Sequence, residues 1–219
     1  MAISPDQKKL LDVLLEHVVF DGWTQEAVQA AARDLALSPA ELDALLPGGA
    51  LQALQMFSAH ADQEMLKSLQ DLDLSQMKVR ERVAAAVRLR LENLAPHREA
   101  VRRGLSCLAL PQNGGIGLKC LYGTVDAVWH GVGDRSVDYN FYSKRLLLAG
   151  VFSSTTLFWL NDKSEGQEAT WVFLERRISE VLKVGGTVGK TIGRLLALPD
   201  RLIRSRGDLK GRRPFAKGL

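Results

Sequence analysis

Four histidines, two cysteines and two glycine-rich strings are the residues of this chain best suited to chemistry. His17, His60, His97 and His130 fall on separate predicted helices, and none has a Glu three residues before it. The Glu-x-x-His signature of a di-iron bundle is therefore missing, as is His-Glu-x-x-His. Cys107 and Cys120 are too few for a disulfide framework or a zinc knuckle, and they read as small buried residues. Val184-Gly185-Gly186-Thr187-Val188-Gly189-Lys190-Thr191 imitates a phosphate loop. A true one has glycine where Val184 stands and a strand ahead of it; here a helix precedes, and counted from Gly185 the spacing is one residue short. Gly114-Gly115-Ile116-Gly117 is equally weak as a dinucleotide fingerprint, and a helix–helix loop explains it. No catalytic residue, metal site or cofactor is expected.

The charge is unevenly spread. The 219 residues are 46% hydrophobic and 25% charged, enough for a folded core, and the net charge is +4. Residues 183–219 alone hold ten Lys and Arg against Asp200 and Asp208, a tail of +8, which leaves −4 on everything before it. An acidic body does not suit nucleic acid, whereas a basic tail suits a polyanionic surface. Asp6, Lys8 and Lys9 interrupt Met1–Leu11, so no secretory signal is expected there. The longest apolar run, Leu146–Leu160, contains Ser153, Ser154, Thr155 and Thr156 and falls short of the roughly 20 residues of a spanning helix.

The elements that must carry these residues are helices throughout. Leu10, Leu11, Leu14, Leu15 and Val18 make one stripe of a helix from Pro5 to Val19. Thr24 can N-cap a second helix, and Ser38-Pro39-Ala40-Glu41 is a capping box for a short third. A fourth runs from Ala50 to Gln70. Ser75 is expected to start a fifth, with Val79, Val83, Val87 and Leu91 inward and Lys78, Arg80, Arg82, Arg88, Arg90 and Glu92 on a solvated face. Further helices cover His97–Leu110 and the segment holding Leu118, Leu121, Val125 and Trp129. Phe141–Leu160, apolar nearly all round, reads as a buried central helix. Ser164-Glu165-Gly166-Gln167 reads as a capping box opening Ala169–Val184. The fold class is all-α, divided as residues 1–72, 73–184 and a tail, 185–219.

The first three helices, Leu11 through Leu46, resemble the helix-turn-helix module of TetR-type repressors, which implies a larger helical ligand domain behind them. The contacts for DNA are lacking, however. The segment Pro39-Ala40-Glu41-Leu42-Asp43-Ala44-Leu45-Leu46 has two acids and no base where phosphates and guanine edges would need Lys and Arg. A ligand-responsive transcription regulator is the alternative reading of the chain, and these acids count against it.

In the tail, Val188, Ile192, Leu195, Leu196, Leu202 and Ile203 fall within one arc of a helical wheel, and Lys190, Arg194, Arg201 and Arg204 fall opposite. That is the pattern of a helix lying in an anionic membrane surface. Docking on its own body or on a partner, or service as a solubilising tail, stays open.

A more specific likeness runs from Leu72 onward. Leu74-Ser75-Gln76-Met77-Lys78-Val79-Arg80-Glu81-Arg82 is followed by Asp126-Ala127-Val128-Trp129 and Asp138-Tyr139-Asn140-Phe141-Tyr142-Ser143-Lys144-Arg145. Thr170-Trp171-Val172-Phe173-Leu174-Glu175-Arg176-Arg177-Ile178 closes the series. In this order, behind a TetR-like start, the chain resembles the accessory lipid-binding protein family of ubiquinone (coenzyme Q) biosynthesis. The resemblance implies a TetR-like fold that binds isoprenoid quinone intermediates or phospholipid, a homodimer, and a cytoplasmic place on the inner face of a membrane through the tail. It implies a partner, the di-iron demethoxyubiquinone hydroxylase, met by Asp138, Asn140, Phe141, Tyr142, Lys144 and Arg145. Some relatives carry tryptophan where this chain has Phe141, which keeps a large aromatic and drops an N–H donor. Ordinary helix packing is the other use for Phe141 and Tyr142. A prenyl chain needs a long apolar cavity with few polar anchors. The walls expected for it are Leu118, Leu121, Val125, Trp129, Leu147, Val151, Phe152, Phe158, Trp159, Trp171 and Phe173, each of which would also serve as plain core.

Overall fold

The computed structural model describes residues 3–133 and 139–181, leaving aside the side chains of residues 139–143. Its helices are α1 (Pro5–Asp21), α2 (Gln25–Asp34), α3 (Pro39–Leu45), α4 (Gly49–Gln70), α5 (Val79–Asn93), α6 (Arg98–Leu108), α7 (Gly114–Gly131) and α8 (Tyr139–Asn161). A ninth, α9, covers residues 168–181. All regular elements among the described residues are helical, in an all-α arrangement. The chain divides into two compact units, Met1–Ile178 and Ser179–Leu219. The tail positions Val188 through Arg204, and Asp138, lie outside the described residues.

Local chemistry starts the first helices. Ser4 and Gln7 form a reciprocal capping box ahead of α1, with Pro5 in its first turn. The Thr24 side chain accepts the Ala27 N–H ahead of α2. Ser38 and Glu41 form the box expected for α3, again with proline in the first turn. α3 itself buries no residue.

The core forms where the stripes meet. α1 packs on α2 and α6, α4 on α5 and α7, and α7 on α8. Leu10, Leu14 and Val18 of α1, Met65 of α4, Val87 and Leu91 of α5, Val125 and Val128 of α7 and Trp159 of α8 are essentially without solvent contact. The Trp23 indole N–H donates to the Ala100 carbonyl at 3.0 Å, fixing the α1–α2 turn against α6.

Several expectations need correction. α5 begins at Val79 and not at Ser75, because the Asp73 carboxylate captures the Ser75 N–H at 2.9 Å and holds it in a turn. Arg90, expected on a solvated face, is 5% exposed. It lies four residues after the fully buried Ala86 and three after Val87, on the apolar stripe itself. α8 is not enclosed all round: Leu146 is 75% exposed and Leu157 56%. The box expected at Ser164 is replaced by another arrangement. The Ser164 hydroxyl accepts the Ala169 N–H, while the Gln167 side chain accepts from the Trp159 indole at 2.6 Å.

Candidate functional site

An apolar cavity of about 320 Å³ lies among five helices. α4 contributes Leu54, Phe57, Ser58 and Ala61; α6 contributes Val101, Gly104, Leu105 and Leu108; α7 contributes Gly117, Cys120, Leu121 and Thr124. Phe152, Ser153, Thr156 and Leu157 of α8 complete the wall with Arg90 of α5 and Leu94 just beyond it. The α7 residues recur at i, i+3, i+4 and i+7, one face of that helix. Leu157, being exposed, carries the lining to the surface. A Cβ at Gly104 would stand 2.9 Å from Leu54 Cδ1 and 3.3 Å from Trp23 Nε1, so glycine there lets α6 approach α4.

One end of the cavity is polar. The Arg90 Nε donates to Asp62 Oδ1 at 2.7 Å, and Arg90 Nη2 donates to the Thr124 hydroxyl at 3.1 Å and the Ser58 hydroxyl at 3.2 Å. The Thr124 hydroxyl donates in turn to Asp62 Oδ2 at 3.2 Å. The guanidinium stacks over the Phe152 ring, 5.0 Å from its centroid. Four helices thus converge on one buried ion pair, which is net neutral. Such a pair is tolerable only because its charges are matched and hydrogen-bonded. Cys120 shares this wall, and burial pushes its thiol up.

Of the eleven expected walls, Leu121 and Phe152 line this cavity. Val125, Trp129, Val151, Trp159 and Trp171 are buried elsewhere in the core, and Leu118 is 69% exposed. Leu147 is half-buried and outside the lining. Phe158 and Phe173 stack on each other at 4.5 Å, with Arg176 and Arg177 over the Phe173 ring. α4, α5 and α6, which supply half of the lining, hold none of the expected walls. Their signal was the small or polar residue within an apolar stripe: Ser58, Arg90 and Gly104.

Of the expected partner patch, Asn140, Phe141 and Tyr142 begin α8, and their side chains lie outside the described residues. The Lys144 amino group sits 5.5 Å from the Trp129 ring centroid. Arg145 is buried, its guanidinium donating to Asp126 Oδ1 at 3.0 and 2.6 Å. It therefore ties α8 to α7.

The far end of α8 is closed by a separate cluster. Arg98 donates to the Trp159 and Asp162 carbonyls and Arg102 to the Leu160 carbonyl, satisfying the last acceptors of the helix. The Asp162 carboxylate accepts from the Thr170 hydroxyl and N–H and from both donors of Ser164. Those bonds, the Thr170 hydroxyl foremost, hold its carboxyl well below the usual carboxylate range. Burial pushes His60 and His97 down. Among the described residues no group of three His, Cys, Asp or Glu is placed to hold a metal, and no helix is long and apolar enough to cross a membrane.

The architecture is that of a TetR-like protein, an all-α fold with a helix-turn-helix start and a helical body that encloses a cavity. A TetR transcriptional regulator of Nitrosomonas europaea superposes with a TM-score of 0.67 at 21% identity, over 82% of this chain and 99% of its own. The COQ9 family profile matches residues 115–185. The ubiquinone biosynthesis protein COQ9 of rat is 35% identical over 187 residues, 83% of this chain and 60% of its own length. The human protein of that name is 34% identical over 83% of this chain and 59% of its own, and the fruit-fly protein 31% over 84% and 58%. All three are named as mitochondrial. The chain belongs to the COQ9 family, and it spans about three fifths of the length of these curated relatives.

Proposed function

We propose that this chain is a non-catalytic, lipid-binding accessory protein of ubiquinone biosynthesis. The observation that carries the reading is the apolar cavity of about 320 Å³, which reaches the surface at Leu157 and, among the described residues, has one buried charged group in its lining, Arg90. A concave apolar site with few polar anchors is the form a small hydrophobic ligand requires. The ligand we assign is an isoprenoid quinone intermediate, or a phospholipid whose charged head group stays outside the cavity. The protein presents it to the demethoxyubiquinone hydroxylase, reached through the start of α8. The basic tail holds the protein, as a homodimer, on an anionic membrane. The relatives' names support the pathway.

The regulator reading draws on the likeness to the Nitrosomonas regulator, but α3 carries Glu41 and Asp43 and no base. Phosphates would meet like charge there. Native mass spectrometry of gently purified protein tests the proposal: a bound isoprenoid or phospholipid is expected. Empty protein across several preparations would sink it.

A further inference from the structure

We propose that the Arg90–Asp62–Thr124 cluster is a head-group anchor that selects lipids with a neutral oxygen acceptor and rejects those ending in phosphate or carboxylate. This rests on reading the cavity as a lipid site. A guanidinium has five N–H donors. Here Nε is taken by Asp62 and Nη2 by Thr124 and Ser58. Among the described residues, Nη1 has no protein acceptor, although Arg90 is almost wholly buried and lines the cavity. A donor that a mostly buried group leaves without a protein acceptor gains from an acceptor brought in from outside.

The charge balance defines that acceptor. Among the described residues Arg90 is the one charged residue lining the cavity, and Asp62 behind it already neutralises it. A phosphate or carboxylate entering would lose its hydration and meet a site of zero net charge, so it would stay uncompensated. A carbonyl oxygen has little hydration to lose and gains the Nη1 hydrogens. The Phe152 ring, stacked on the guanidinium, leaves the edge of the fork as the route to those hydrogens. A neutral carbonyl can come from a quinone ring or from an ester, and the test separates the two.

The full chain is titrated with five decyl probes. These are a fully substituted decyl-benzoquinone, which has no ring C–H for thiol addition, monodecanoylglycerol, decylbenzene, decyl phosphate and decanoate. Binding is read as protection of Cys120 from maleimide by peptide mass spectrometry. Cys107, outside the cavity lining, is the internal reference. At least one neutral carbonyl probe should bind about tenfold tighter than decylbenzene, the worth of one hydrogen bond to a charged donor at its lower end. The two anions should bind no tighter than decylbenzene. Arg90→Lys keeps a charge for Asp62 but gives up the fork, and should remove the tenfold advantage. If that variant does not fold, the wild-type series decides alone. Equal affinity for decylbenzene and both carbonyl probes would overturn the anchor and leave the cavity reading standing. Tighter binding of either anion would overturn the neutral preference. Protection by none of the five would remove the lipid reading and the anchor with it.

Discussion

Removing Asp62 should be among the most damaging single changes to this fold. The Asp62 and Arg90 side chains are 12% and 7% exposed and 2.7 Å apart. Asp62→Ala leaves a guanidinium with no counter-charge in the interior and strips the Thr124 hydroxyl of its acceptor. Breaking a buried pair from one side costs about 3–5 kcal/mol. For a unit of this size each kcal/mol moves the midpoint by about 2–4 °C, so the thermal transition should fall by about 6–20 °C. The double replacement Asp62→Leu with Arg90→Met removes both charges and fills the space, and should recover most of that loss. Urea denaturation followed by far-UV circular dichroism measures the cycle. If Asp62→Ala costs under about 1 kcal/mol, or the double variant is as unstable as the sum of its parts, the pair is not buried as described.

Three further outcomes are expected. His60 and His97 are held below their ordinary value of 6.5 by burial, so the unfolded chain takes up protons before the folded one does. Their contribution is therefore full above about pH 7 and is lost as pH falls through 6.5; a urea midpoint that rises between pH 8 and 5.5 would contradict this. A Cβ at Gly123 of α7 would meet nothing within 4 Å, so Gly123→Ala should stabilise by about 1 kcal/mol through helix propensity, and a lower melting temperature would show hidden crowding. Deleting residues 185–219 should weaken sedimentation with anionic liposomes, and the binding of the intact chain should decline with salt; unchanged binding would remove the tail from membrane attachment.

Local signals were readable in the sequence. Ser38-Pro39-Ala40-Glu41 specifies its own helix start within four residues, and the structure repeats it. The Leu10–Val18 stripe is buried as its period requires. The cavity was harder to read because it belongs to no single helix. On α7, Leu118 and Leu121 looked like one apolar face, yet the residues facing the cavity are Gly117, Cys120, Leu121 and Thr124. Small and polar side chains leave the space that a hydrophobic pattern is blind to. Arg90 is a related case: its charge suggests solvent, while its register against Ala86 and Val87 points inward. Only the partner it meets, Asp62, 28 residues away in the chain, makes that burial tolerable.

α3 carries a consequence of another kind. It buries no residue, and its start is secured by Ser38 and Glu41 at its own end. Leu42 and Leu45 are half-buried, while Ala40, Asp43 and Ala44 are exposed, and substitutions at those exposed positions leave the packing untouched. Such a helix can reverse its charge while the body keeps its shape. Affinity for a polyanion and the integrity of the fold are separable in this architecture, so a repressor-shaped scaffold can lose the first without risk to the second.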